Sequence, residues 1–252
     1  MSGPHAHTLT VHGHSPVHEL PARVKLVAML LFVLAVVATP REEMWAFGVH
    51  ALLALAVITV AEIPFGHVIK RVGVEVPFVV FALFLPFLGG GPTIELLGMQ
   101  LSQEGLWGAW NILAKATLGV TASIILVSTT EVTAILRGLS ELKAPASMVA
   151  IAGFMVRYLE VIGSELRRMK IAMAARGYSP TWIGQTRALA TAGGALFIRS
   201  YERGERVHQA MLARGFTGVM PRIESSPAGV WAWGLGLSVP VSAWMIAGVS
   251  LL

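Results

Sequence analysis

Residues 106–129 read LWGAWNILAKATLGVTASIILVST. A single charged side chain, Lys115, interrupts this run. About 20 apolar residues in helical conformation cross a bilayer, so the stretch reads as a membrane span. Four more apolar runs flank it. Arg23–Thr39 is closed by Pro40, and Met44–Ile63 is closed by Pro64. Val76–Leu88 is short for a span, contains Pro86 and enters GGGP at 89–92, so a tilted, kinked or re-entrant segment is expected there. Ala228–Leu252 begins with Trp231 and Trp233, as an interfacial aromatic belt does. The expected fold is an all-α integral membrane protein with about five transmembrane helices.

Composition agrees. The 252 residues are 55% hydrophobic and 13% charged, against about 25% charged in a soluble domain, and mean hydropathy is +0.69. There is no cysteine and no aspartate. Disulfides, thiolate metal sites, thiol nucleophiles, Asp-based triads and aspartyl-phosphate chemistry are therefore excluded. The net charge of +5 reads as a cytoplasmic positive excess rather than as nucleic-acid binding. The first 22 residues are polar and His-rich with no cleavage-site pattern, so Val24–Ala38 is expected to be a retained first span.

Of the 19 Lys and Arg, 13 lie between Glu131 and Pro227, and Lys70 and Arg71 lie between the second and third runs. Segments 40–43 and 89–105 carry only Arg41. The positive-inside rule then puts the N-terminus, the 64–75 loop and the 131–227 region in the cytoplasm and the C-terminus outside. Four parts follow: a tail at 1–22, spans one to four at 23–130, a cytoplasmic coupling region at 131–227, and a last span at 228–252.

The coupling region reads as a short helix at 131–140 and two long amphipathic ones that cross. After Pro145, the residues Met155, Leu159, Ile162, Leu166, Met169 and Met173 form a heptad-like seam made for another helix. In 186–214, Phe197, Tyr201, Gly204, His208 and Met211 repeat similarly, after the small-residue stretch ALATAGGAL. The two helices end alike: AMAARGYS at 172–179 and AMLARGFT at 210–217. Gly177 and Gly215 fit the left-handed residue that closes a helix. Arg176 and Arg214 suit the negative end of the dipole. Tyr178 and Phe216 fit the apolar residue after the cap, and Pro180 and Pro221 prevent resumption. Capping accounts for Arg-Gly-aromatic. The further matches, Ala172/Ala210, Met173/Met211 and Ala175/Ala213, suggest one small surface presented twice to two copies of one partner.

Two Ala-Arg-Gly ends closing two long helices before a last span resemble the transmembrane T component of energy-coupling-factor transporters, cobalt-type CbiQ family. SPVHELPARVKL (15–26) resembles that family's entry, and RSYERGERVHQAMLARG (199–215) its second signature helix. The resemblance implies a non-catalytic scaffold in the bacterial cytoplasmic (inner) membrane. Ala175, Arg176 and Gly177 would dock one ATP-binding-cassette ATPase, and Ala213, Arg214 and Gly215 a second. Met173, Tyr178, Met211 and Phe216 would support those surfaces. A substrate-capture membrane subunit, with a small accessory membrane subunit as an optional partner, would complete the complex. ATP and Mg would bind in the ATPases and no cofactor in this chain. Cobalt is the expected cargo, with nickel or a vitamin as the alternatives.

A Walker A loop is absent from the sequence. His5, His7, His12, His14 and His18 read as a polar tail, and no metal site is assigned. Asn111 and Lys115, at i and i+4 in the fourth span, point to a structural or inter-subunit role, with Lys115 bonding carbonyls of a neighbouring helix or snorkelling. Glu62 and Glu131 lie near span ends, where solvation is cheap. A self-sufficient channel or secondary carrier is the competing class, disfavoured by sparse intramembrane polar groups and by the lack of inverted repeats. A membrane enzyme lacks a constellation around His50 and His67.

Overall fold

A computed structural model describes residues 13, 15–90, 92–96, 99–178, 186–218 and 228–251. The protein is an all-α integral membrane protein. Its helices are α1 (Pro16–Glu19), α2 (Ala22–Ala38), α3 (Met44–Val60), α4 (Phe65–Val72), α5 (Val76–Leu88), α6 (Gln103–Thr129), α7 (Val132–Glu141), α8 (Ala146–Ala175), α9 (Thr186–Ala213) and α10 (Val230–Val249). Two compact units emerge: residues 6–142 with 226–252, and residues 143–225.

Among the described residues, four helical stretches are long and apolar enough to cross a membrane by length and composition: Phe65–Leu88 taken together, α6, α8 and α10. The helices α2 and α3, both read as spans, have 17 residues each, about 26 Å of rise. They supply much of the first unit's interior: Phe32, Ala35, Val36, Phe47 and Ala54 pack with Leu118 and Ala122 of α6 and Ala243 of α10. The presence of α8 among the four differs from its reading as an amphipathic helix of the cytoplasmic coupling region. Its first eleven residues, Ala146–Val156, carry no charge, and its charges gather from Arg157 to Lys170.

Three segments depart from expectation. Residues 64–75, read as a loop, form α4 and a 3-10 turn, Gly73–Glu75, that continues into α5. Pro64 sits at the N-cap, where its fixed φ favours a helix start instead of only ending the previous one. Within 89–105, Thr93–Leu96 and Met99–Ser102 pair antiparallel, Thr93 opposite Ser102 and Leu96 opposite Met99. The short helix near 131–140 is α7, and it packs on α2: Arg23 pairs with Glu141 at 3.4 Å. A Cβ on Gly138 would lie 2.9 Å from the Arg23 backbone nitrogen. The structure therefore groups α7 with the spans and starts the second unit at Lys143.

Close helix contacts in lipid rest on small residues, because hydrocarbon offers no hydrophobic drive between helices. A Cβ on Gly105 would lie 2.3 Å from the Leu85 carbonyl oxygen, and one on Gly236 2.3 Å from Val24 Cγ1. Gly119, also in α6, meets nothing within 4 Å. Gly105→Ala should therefore cost about 1–3 kcal/mol through overpacking. Gly119→Ala should be neutral or stabilising by up to about 1 kcal/mol. Thermal unfolding of the detergent-purified variants checks the contrast.

Candidate functional site

The helices α8 and α9 belong to one unit and meet through Glu165, which accepts from Arg199 Nη1 of α9 at 2.7 Å and pairs with Arg168 at 3.5 Å. The α8 seam is divided. Leu166, Met169 and Met173 are half-buried, whereas Met155, Leu159 and Ile162 are exposed. The α9 seam is rotated from its expected position. Phe197, Tyr201 and His208 are exposed, and Ala192, Ala195, Leu196, Ser200, Val207 and Met211 are half-buried. Small residues allow close approach, so the Ala-rich side rather than the aromatic side turns inward.

Both helices end in the same backbone motif. In α8, Tyr178 N donates to Met173 O at 3.1 Å and Gly177 N to Ala174 O at 3.0 Å. In α9, Phe216 N donates to Met211 O at 3.0 Å and Gly215 N to Leu212 O at 2.9 Å. These paired bonds define a Schellman cap, which needs a left-handed residue after the helix. Gly177 has φ +77° and Gly215 φ +81°. Each bond satisfies a carbonyl that the last helical turn would otherwise leave open.

The cap sorts the side chains. Met173 and Met211 occupy the position that meets the residue after the glycine, and Met173, Tyr178, Met211 and Phe216 are all half-buried. Ala175, Arg176, Gly177, Ala213, Arg214 and Gly215 are all exposed. Capping thus explains the methionines as well as Arg-Gly-aromatic, which the sequence alone did not reveal. It leaves Ala175 and Arg176 facing outward at one end and Ala213 and Arg214 at the other. The Arg176 and Arg214 side chains form no hydrogen bond or ion pair among the described residues. Pro180 and Pro221 lie outside the described residues.

Elsewhere, Lys115 Nζ donates to Val37 O at 2.9 Å, the neighbouring-helix contact read as one option from the sequence. Lys25, not singled out there, is buried and donates to His18 O, Thr129 O and Thr130 Oγ1 at 3.1, 2.9 and 3.2 Å. Its signal was a cation one turn inside an apolar run. Buried Glu75 accepts from Thr117 Oγ1 at 2.9 Å. Buried His50 lies 3.1 Å from Thr39 Oγ1 through Nε2. The Thr39 hydroxyl donates to Ala35 O, so its oxygen accepts from His50. Glu62 and Glu131 are exposed. Among the described residues no three His or Glu converge as metal ligands; His5, His7, His12 and His14 lie outside them.

The cobalt transport protein family CbiQ matches residues 13–225. The chain belongs to that family. It is 26% identical to the energy-coupling factor transporter transmembrane protein EcfT of Bacillus selenitireducens, over 96% of this chain and 94% of that one. It is 27% identical to the cobalt transport protein CbiQ of Rhodobacter capsulatus, over 68% and 72%. It is 25% identical to a fused cobalt transport protein, CbiMQ, of Methanocorpusculum labreanum over 82% of this chain, and spans 36% of that longer protein. The CbiQ-family chain is thus a multi-pass transmembrane component of an energy-coupling factor transporter.

Loss of either glycine tests the caps. Gly177→Ala or Gly215→Ala should cost about 1–2 kcal/mol, because a Cβ is strained in the left-handed region. Faster hydrogen exchange at the Tyr178 or Phe216 amide, respectively, checks it.

Proposed function

We propose that this chain couples two ATP-binding-cassette ATPases to a substrate-capture membrane subunit for cobalt uptake. The observation that carries this reading is the pair of Schellman-capped ends, each exposing Ala-Arg-Gly with an unpaired arginine. A guanidinium fork suits a carboxylate or backbone oxygens in a partner groove, and alanine beside it lets that groove approach. Two ends with the same motif suit two subunits of the same type. ATP and Mg bind in those subunits, and this chain transmits their closure through α8 and α9 to its membrane helices. The concentration of 13 of 19 basic residues in 131–227 supports placing this region and the N-terminus in the cytoplasm and the C-terminus outside. Cobalt as cargo is supported by the family description.

The two ends are not equivalent electrostatically. Residues 165–176 carry four basic side chains against Glu165 alone, and residues 202–214 carry three against Glu202 and Glu205. The α8 end therefore suits the more acidic groove, or the one entered first.

Co-purification decides the reading. Arg176→Glu with Arg214→Glu should leave the protein inserted but without ATPases. Each reversal should cost about 2 kcal/mol or more, a loss of roughly 30-fold in affinity. Each single variant should retain one ATPase per chain by native mass spectrometry. Undiminished recovery of both ATPases by the double variant overturns the docking role.

A further inference from the structure

The unit formed by residues 6–142 and 226–252 contains a cleft of about 300 Å³ between α2, α3, α6 and α10. Small residues on three of these helices leave the space: Ala28, Ala54, Ala56 and Ala122 line it, with Gly236 and Pro240 of α10. Its character changes along its length. Lys25 and Thr129 stand where α2 begins and α6 ends, whereas Phe32 and Ala122 lie deeper along the same two helices. From Lys25 to Phe32 the α2 wall rises about 10 Å.

An apolar cavity of about half this volume stays dry and takes benzene. Walls that face nothing forfeit their dispersion contacts. In a bilayer the abundant filler is an acyl chain. Lys25 is the charged lining residue. Its three ammonium protons go to neutral oxygens, and it forms no ion pair among the described residues. Thr129 O is the last carbonyl of α6, whose dipole returns about half a negative charge. The polar end of the cleft therefore stays net positive while the rest is hydrocarbon, the complement of an amphiphile with a negative head.

We infer that the cleft holds one acyl chain of an anionic phospholipid, with its phosphate at the Lys25 end. The phosphate acts through the field of the ammonium, whose protons remain on His18, Thr129 and Thr130. The full chain, reconstituted in vesicles of equal phosphatidylglycerol and phosphatidylcholine and released into native mass spectrometry, tests this. The wild type should retain one phosphatidylglycerol in preference to phosphatidylcholine. Ala54→Phe with Ala122→Phe should lose the bound lipid. Lys25→Gln should keep a lipid but lose the preference, and Lys25→Arg should keep both, which also serves if Lys25→Gln does not fold. Thermal unfolding near that of the wild type confirms that the filled variant is folded. If that variant does not fold, a photoactivatable acyl chain on phosphatidylglycerol should label Met29 or Phe32 in the wild type. Retention of lipid by the filled variant, equal retention of both lipids by the wild type, or labelling confined to the outer surface overturns the inference. So does cross-linking of the cleft to a partner subunit's side chains in place of lipid.

Discussion

Every helix leaves its last carbonyls in need of donors, and this constraint organises the protein. Four helices end on two different solutions. The end of α6 is closed by the Lys25 ammonium at Thr129 O. The end of α2 is closed by Lys115 at Val37 O and by the Thr39 hydroxyl at Ala35 O. In α8 and α9 the backbone turns back on itself at Gly177 and Gly215 and needs no side chain. A lysine cap also sets part of its charge against the negative end of the helix, which makes an intramembrane cation tolerable. A glycine cap leaves the adjacent arginine free. The same chemical problem therefore yields structural cations in the spans and available ones at the ends of α8 and α9.

The long apolar runs were legible because hydropathy over about 20 residues is a collective signal, and α2, α3, α5, α6 and α10 appear within a few residues of their expected bounds. The glycine caps were legible because a glycine straight after a helical run, with an apolar residue next and a proline soon after, is the common signature of a left-handed helix end. What escaped were features that depend on a distant partner. Lys25 belongs to α2 by sequence and to α6 by function, 104 positions away. Glu75 looks like a solvated loop acid until Thr117 is seen beside it. In α9 the large side chains set the spacing that drew the eye, whereas the small ones decide which side can approach another helix. Residues 93–102 alternate too briefly to be told from loop without their pairing.

The repeated octamer is sharpened most by its backbone. Once Met173 and Met211 take the position that meets the aromatic residue after the glycine, four of the seven matches between the octamers follow from ending a helix well. They are Met, Arg and Gly in each copy, with Tyr178 and Phe216 as near-equivalents. Ala175 and Ala213 do not follow, because their exposed methyls contribute nothing to the cap. Nor does the freedom of Arg176 and Arg214. A cation on a helix end gains about 0.3–1 kcal/mol from the dipole, and lysine would gain as much with a simpler side chain. A planar fork at both ends, flanked by the smallest side chain that keeps the helix, is specified by something outside the cap. That residual is small, two residues per end, but it is the part that helix stability cannot generate, and it recurs on two helices whose other faces differ. Differences behind such similar ends fit the proposal that the ends themselves, rather than the helices, meet a repeated partner.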